Sequence, residues 1–297
     1  MSFSGNVKAE LCRAGLGKPC CAAAEAYGVL LYANTFSARE IKIITASADF
    51  AQRLPKLFKK AFDLGFDSAV TGGRGKSVFS VTDREKIARV FEKYGYDAAT
   101  SLVHHINLGV LEEECCRQSF MRGAFLAGGS ITDPEKGYHL ELVTDHMNVS
   151  REAYSILLEM GFSPRDTVRA GHYVTYFKQS EAIEDFFTTI GAPASAMEIM
   201  SAKVEKDMRN AIKRRVNCDS ANADKIVSAA QAQLDRIRYL DRTMGLDALP
   251  PDLQETALLR IANPEASLTE LAVLADPPVS KSCINHRMRN LMSFEAE

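Results

Sequence analysis

The stretch Phe120-Met121-Arg122-Gly123-Ala124-Phe125-Leu126-Ala127-Gly128-Gly129-Ser130-Ile131 decides the fold, because a degenerate copy of it precedes it. That copy reads Ala24-Glu25-Ala26-Tyr27-Gly28-Val29-Leu30-Leu31-Tyr32-Ala33-Asn34-Thr35-Phe36. Each is an apolar helix, rich in small residues, that leads into a strand: Ile41-Lys42-Ile43-Ile44-Thr45 after the first, His139-Leu140-Glu141-Leu142-Val143-Thr144 after the second. A cysteine doublet precedes each, Cys20-Cys21 and Cys115-Cys116. The offset is constant, with Cys116 standing 95 residues after Cys21 and Gly123 95 after Gly28. Ile87, Phe91 and Gly95 return as Ile183, Phe187 and Gly191 at an offset of 96. A period this long is not that of a solenoid. Two helix–strand–helix–hairpin–helix units instead predict one pseudo-symmetric domain. Gly28, Ala33, Gly123, Ala127 and Gly128 strip bulk from the paired helices, so that their backbones can approach closely.

With 297 residues the chain has room for two or three domains and a sizeable core. Its net charge of −2 excludes a chain that binds nucleic acid by bulk charge, so any DNA contact has to come from a local patch. Met1-Ser2-Phe3-Ser4 does not open a signal peptide, and no apolar run reaches spanning length. Seven cysteines, an odd number with two adjacent pairs, suit reduced thiols rather than a disulfide framework. A soluble cytoplasmic protein with no membrane partner is expected.

In chain order, residues 5–19 form an amphipathic lead-in through Val7, Leu11 and Leu16. A helix over about 50–64 follows the first strand, with Gly65 as its stop. The hairpin 68–81 turns at Thr71-Gly72-Gly73-Arg74-Gly75-Lys76, and Asp83 caps the closing helix. The acidic run Glu112-Glu113-Glu114 suits the start of the next helix. The second unit repeats the plan and turns at Arg169-Ala170-Gly171-His172. Alternation in Tyr173-Val174-Thr175-Tyr176-Phe177 predicts a sheet packed on one face and solvated on the other. From residue 194 strands give way to long helices, one over about 195–216 and another from about 219 to 243.

The C-terminal segment carries the most specific signal. Ser267-Leu268-Thr269-Glu270 is a capping box opening a helix to about 276, Pro277-Pro278-Val279 forces a turn, and Ser280 caps a last helix. There Ile284, Met288 and Leu291 recur at core spacing, which leaves Ser282, Asn285, His286 and Arg289 on the opposite face, flanked by Lys281 and Arg287. That is the layout of a helix-turn-helix reader of double-stranded DNA. Asn285 and Arg289 are side chains suited to base edges, and Lys281 and Arg287 to phosphates. Upstream, Lys203, Lys206, Arg209, Lys213, Arg214 and Arg215 read either as a phosphate-contacting stripe or as a solvated face.

Other motifs fail. Gly73-Arg74-Gly75-Lys76-Ser77 imitates the end of a phosphate-binding loop, yet Val70 stands where the first glycine is required and no helix follows. His139-x-Glu141 lacks the downstream cysteines of a zinc deaminase. Adjacent cysteines on a helix diverge, so the doublets read as buried structural thiols, with no metal or cofactor. His104-His105 and Asp145-His146 read as structural or surface residues.

The repeated unit resembles the LAGLIDADG homing-endonuclease fold, which pairs two motif helices beneath a sheet that straddles DNA. Aligning Gly129-Ser130-Ile131 with the closing Gly-Ser-Ile of that family puts its metal-binding aspartate at Gly128, and Ala33 takes the matching place in the first copy. Neither can hold metal by its side chain, so the resemblance implies an architecture without cleavage. Together with Asn217-Cys218-Asp219-Ser220-Ala221-Asn222 and the string from Asp276 to Arg289, the double motif resembles the WhiA family of bacterial regulators, over essentially the whole chain. Cys283 departs from an expected glycine, and the chain ends soon after the last helix, so no longer tail contact is expected. The implied fold class is α+β: a LAGLIDADG endonuclease-like domain over 1–194, with repeat units at about 20–98 and 115–193. A linker helix follows at 195–217, then an all-α domain at 218–297 with the helix-turn-helix at 267–293. The implied function is transcription regulation tied to sporulation or to cell division and chromosome segregation, on the nucleoid and at promoter DNA. Another regulator or RNA polymerase is a further expected partner, and the pseudo-symmetric domain suits a monomer. Arg74, Lys76, Arg169 and His172 on the hairpins either add DNA contacts or border a protein-docking surface, and their modest charge favours docking. The rivals are a division scaffold that needs no DNA and a nuclease built on Asp133, Glu135 or Glu141.

Overall fold

Two glycines set the centre of the fold. A Cβ on Gly28 would stand 2.1 Å from the carbonyl oxygen of Phe120, and one on Gly123 would stand 2.0 Å from that of Glu25. The helices carrying them pack backbone against backbone, which only glycine permits at those two points.

The computed structural model describes residues 2–72, 75–96 and 103–295, in two units, Met1–Asp207 and Met208–Glu297. In the first, helix α1 (Phe3–Arg13) starts at Ser2, whose hydroxyl accepts from the Gly5 amide. Then come α2 (Pro19–Leu31), β1 (Thr35–Phe36), β2 (Ile41–Thr45), α3 (Ala48–Phe62), β3 (Ser68–Thr71), β4 (Ser77–Val81) and α4 (Arg84–Lys93). The second copy follows as α5 (Glu114–Gly128), β5 (Gly129–Ile131), β6 (Leu140–Thr144), α6 (Met147–Glu159), β7 (Arg165–Arg169), β8 (His172–Phe177) and α7 (Ser180–Ile190). Each copy builds a four-stranded antiparallel sheet of the same order, β1-β2-β4-β3 and β5-β6-β8-β7. Equivalent strands pair at the centre of each, Ile43 opposite Phe79 and Leu142 opposite Thr175. β2 and β6 both alternate buried and half-buried residues, as a sheet packed on one face requires.

Several elements differ from the sequence reading. The short strands β1 and β5 were not foreseen; β5 starts directly at the end of α5. α3 stops at Phe62 rather than near residue 64, because Asp63, not Gly65, takes the left-handed cap at φ 57°. The lead-in helix covers Phe3–Arg13, not 5–19. The second hairpin turns through Ala170 and Gly171, both at positive φ, the two-residue geometry that matches strand twist. Asp83 caps α4 by accepting from the amides of Glu85 and Lys86, as read.

The core between the sheets and helices includes polar groups that the sequence did not single out. Glu25 of α2, 1% exposed, takes a bidentate pair from Arg53 of α3 at 2.6 and 2.8 Å and a third bond from Arg122 of α5 at 3.3 Å. Arg122 also donates to the carbonyl of Ile190 at 2.7 Å. Glu25 thus joins one repeat to the other through charge. His104 is buried, lies over Phe36 at 4.7 Å between ring centroids, and has Nε2 2.6 Å from the Phe36 carbonyl. Its ring meets that of His146 edge-on at 4.6 Å, and burial lowers both histidines below their ordinary value.

A single helix, α8 (Pro193–Met244), replaces the two that the sequence predicts. Ala196 and Ile199 belong to the first core, Ile237 and Leu240 to the second, and every residue from 207 to 229 is exposed. In the second unit α9 (Pro251–Ala262), α10 (Leu268–Leu274) and α11 (Lys281–Ser293) close a small all-helical core.

Candidate nucleic-acid interface

The last three helices are fixed by local devices first. Ser267 accepts from the Glu270 amide while the Glu270 carboxylate accepts from the Ser267 amide, a complete capping box that holds the Glu270 carboxyl below its ordinary value. The Val279 amide donates to Ala272 at 3.0 Å and closes the turn. Ser280 then caps α11 by accepting from Cys283 at 3.2 Å. Arg260, 1% exposed at the end of α9, was not foreseen. Its guanidinium donates to the carbonyls of Asn263 and Ala266, pinning the loop that leads into α10. Ile284, Met288 and Leu291 are buried against Leu253, Ala257 and Leu271, as their spacing predicts.

With that face anchored, the opposite face of α11 is set. Lys281, Ser282, His286 and Arg289 are exposed and Asn285 is half-buried. His286 Nε2 lies 3.3 Å from the Asn290 side-chain nitrogen. The Ser280 hydroxyl is engaged as the cap that the sequence predicts, and Arg287 turns back to α9, 3.1 Å from Glu255 and 3.9 Å from Asp252, with 18% of its side chain exposed. Arg287 thus braces two helices through an ion pair. Cys283 is half-buried beside the core face.

Of the upstream basic residues, Lys206 lies over the Tyr138 ring at 5.4 Å, and Arg209, Lys213, Arg214 and Arg215 are exposed. On the second hairpin both candidates are paired within the chain. Arg169 donates to both oxygens of Glu141 at 3.0 Å, and His172 pairs with Asp145. Burial opposes ionisation of Glu141, but Arg169 and His139 together hold its carboxyl below the ordinary value. Lys76 is exposed, while Arg74 lies outside the described residues.

At the two positions that the family resemblance aligns with metal-binding aspartates, Gly128 ends α5 and Ala33 follows α2. A Cβ on Gly128 would stand 2.4 Å from the Val143 carbonyl oxygen and 3.0 Å from the Tyr32 ring, so an acidic side chain has no room there. Among the described residues, the one group of three or more cysteine, histidine or acidic side chains close enough to share an ion is Cys20, Cys21, Cys115 and Cys116. Asp133, Glu135 and Glu141 form no such group. The doublets are also not uniformly buried: Cys116 is buried, Cys21 and Cys115 half-buried, and Cys20 exposed. Read singly, each doublet lacks ligand spacing. The 95-residue offset was the signal that the two are brought together, since it puts both at the same turn of paired helices.

A family model described as the WhiA C-terminal HTH domain matches residues 212–295, and one described as the WhiA LAGLIDADG-like domain matches residues 117–209. The chain is 38% identical to the "Probable cell division protein WhiA" of Ruminiclostridium cellulolyticum, over 98% of this chain and 96% of that protein. It is 33% identical to the protein of the same name in Clostridium botulinum, over 100% and 98%. The crystal structure of full-length DUF199/WhiA from Thermotoga maritima superposes with a TM-score of 0.61 at 23% identity, covering 98% of this chain and 97% of that one. On family models and on full-length identity alike, the chain belongs to the WhiA family.

Proposed function

We propose that this protein is a sequence-specific, double-stranded-DNA-binding regulator of transcription that serves cell division or chromosome segregation and does not cleave DNA. The observation that carries the reading is the solvent face of α11. Lys281, Ser282, Asn285, His286 and Arg289 stand on a helix whose other face is locked by Ile284, Met288 and Leu291. A reader needs its side chains pre-positioned, and the capped, anchored helix provides that. Asn285 and Arg289 read base edges, Lys281 and Ser282 contact phosphate near the helix N-terminus, and Arg287 positions α11 through Glu255. Lys206, Arg209, Lys213, Arg214 and Arg215 are secondary phosphate contacts. Relatives named as probable cell division proteins support the process, and the matching helix-turn-helix family model supports the binding mode.

In this reading the endonuclease-like module, residues 1–194, has become a docking surface for another regulator or RNA polymerase. It is joined through 195–217 to a reading module at 218–297. The pairing of Arg169 with Glu141 and of His172 with Asp145 favours docking over phosphate contact, because both side chains already have an acidic partner within the chain. The protein acts as a monomer on the nucleoid.

Selection of genomic fragments by the purified chain, followed by mobility-shift titration of the enriched sites, tests the proposal. Asn285→Ala and Arg289→Ala are each expected to cost about 1–3 kcal/mol on the selected site. Equal affinity for selected and scrambled DNA would refute it.

A further inference from the structure

We propose that Cys20, Cys21, Cys115 and Cys116 form a tetrathiolate site for one zinc ion, which staples the two halves of the pseudo-symmetric domain at the start of their central helices. The four sulfurs come from two elements and lie within 4.8 Å of one another. Four thiolates around one zinc at a Zn–S distance of about 2.3 Å stand about 3.8 Å apart, so closure needs sulfur shifts of about 1 Å or less. Such shifts lie within the reach of side-chain rotation. A set this compact suits a single ion, because the ligands of an iron–sulfur cluster must spread around several metal atoms. All-sulfur tetrahedral donors select zinc among the common closed structural sites.

The helices supply a second, independent feature. Pro19 and Glu114 are the first residues of α2 and α5, so each doublet occupies the second and third helical positions. The N-caps, Lys18 and Glu113, make no side-chain cap bond in either helix. First-turn amides and the positive ends of two helix dipoles are thus turned towards the place where a zinc tetrathiolate would carry its net charge of −2.

A divalent cation held by these four sulfurs binds them as thiolates, with release of the thiol protons. Cys20 is exposed, which gives an ion a way in. The site is remote from the positions aligned with metal-binding aspartates, since Cys21 and Ala33 are 12 residues apart in sequence, roughly 18 Å at helical rise. It would act on the Gly28–Gly123 crossing, clamping from one end a helix pair whose backbones touch in the middle.

The full chain, purified under reducing conditions and loaded with zinc, is expected to hold one zinc per chain by native mass spectrometry and elemental analysis. Cobalt(II) in its place should give the intense thiolate-to-metal charge-transfer and tetrahedral d–d bands of a four-sulfur site. Cys20→Ser, at the exposed position where folding is least at risk, should weaken zinc binding at least tenfold and lower the melting temperature towards that of the chelator-treated wild type. A Cys12→Ser/Cys218→Ser/Cys283→Ser triple variant should keep the ion. The proposal is overturned if the reduced chain binds zinc no more tightly than the Cys20→Ser variant, or if the triple variant loses the ion. It is also overturned if cobalt gives no charge-transfer band, or if intact mass from cells finds these four cysteines paired as disulfides.

Discussion

Gly128 shows how much a single residue can decide. The missing carboxylate at this position is legible in the sequence. The space is not: only the fold shows that a Cβ here meets the Val143 carbonyl at 2.4 Å. Gly128→Asp is therefore expected to restore no metal-dependent nicking of plasmid DNA and to destabilise the domain by about 1–3 kcal/mol in urea denaturation. Glu25 is the opposite case, a residue that sequence reading passed over. Buried acids are rare, and nothing in the local pattern reveals that Arg53 and Arg122, 28 and 97 residues away, converge on it. Glu25→Gln leaves two guanidiniums without their counter-charge, and an equilibrium-unfolding loss of about 3–5 kcal/mol is expected. Arg287 is the same case in reverse. Its position on α11 is plain from spacing, whereas its partner Glu255 lies 32 residues back on α9.

At the level of elements, long periodic or capped segments were legible and short or unbroken ones were not. The capping box at Ser267 and the buried triplet on α11 need only local pattern, and both stand as read. β1 and β5 have two and three residues, too few for any alternation to register. Asn217-Cys218-Asp219-Ser220 reads as a helix stop and a new cap, but the chain has no Gly or Pro from 194 to 244. Polar cap formers cost a helix interior only about 0.5 kcal/mol each, so α8 runs through. The turn of histidines between the repeats gives a pH dependence with a definite sign. His104 donates through Nε2 to the Phe36 carbonyl, and its buried Nδ1 has no partner among the described residues. Its folded pKa lies below 6.5, as does that of His146, so the unfolded chain binds protons first as pH falls. The contribution of these histidines to stability should be flat above about pH 7.5 and decline as pH drops through 6.5 towards the folded pKa. The melting temperature of His104→Gln should follow a shallower pH slope than wild type between pH 7 and 5.

On the scale of the whole molecule, the sequence carries two histories. A duplicated helix–sheet unit has a close glycine crossing and equivalent sheets in an endonuclease-like fold without acidic residues at the two aligned positions, and a helix-turn-helix unit presents a polar face. Duplication made the first legible, because the 95-residue offset reports equivalence without any contact being known. The same offset contained the gathering of four cysteines, which residue-by-residue reading missed. Whether α11 reads DNA for the whole chain is decided by genome-wide crosslinking of the wild type beside an Asn285→Ala/Arg289→Ala variant at equal cellular level. Discrete promoter peaks that collapse in the variant, while the variant remains folded and abundant, are expected. Peaks that persist at the same sites and heights without those two side chains would contradict that reading.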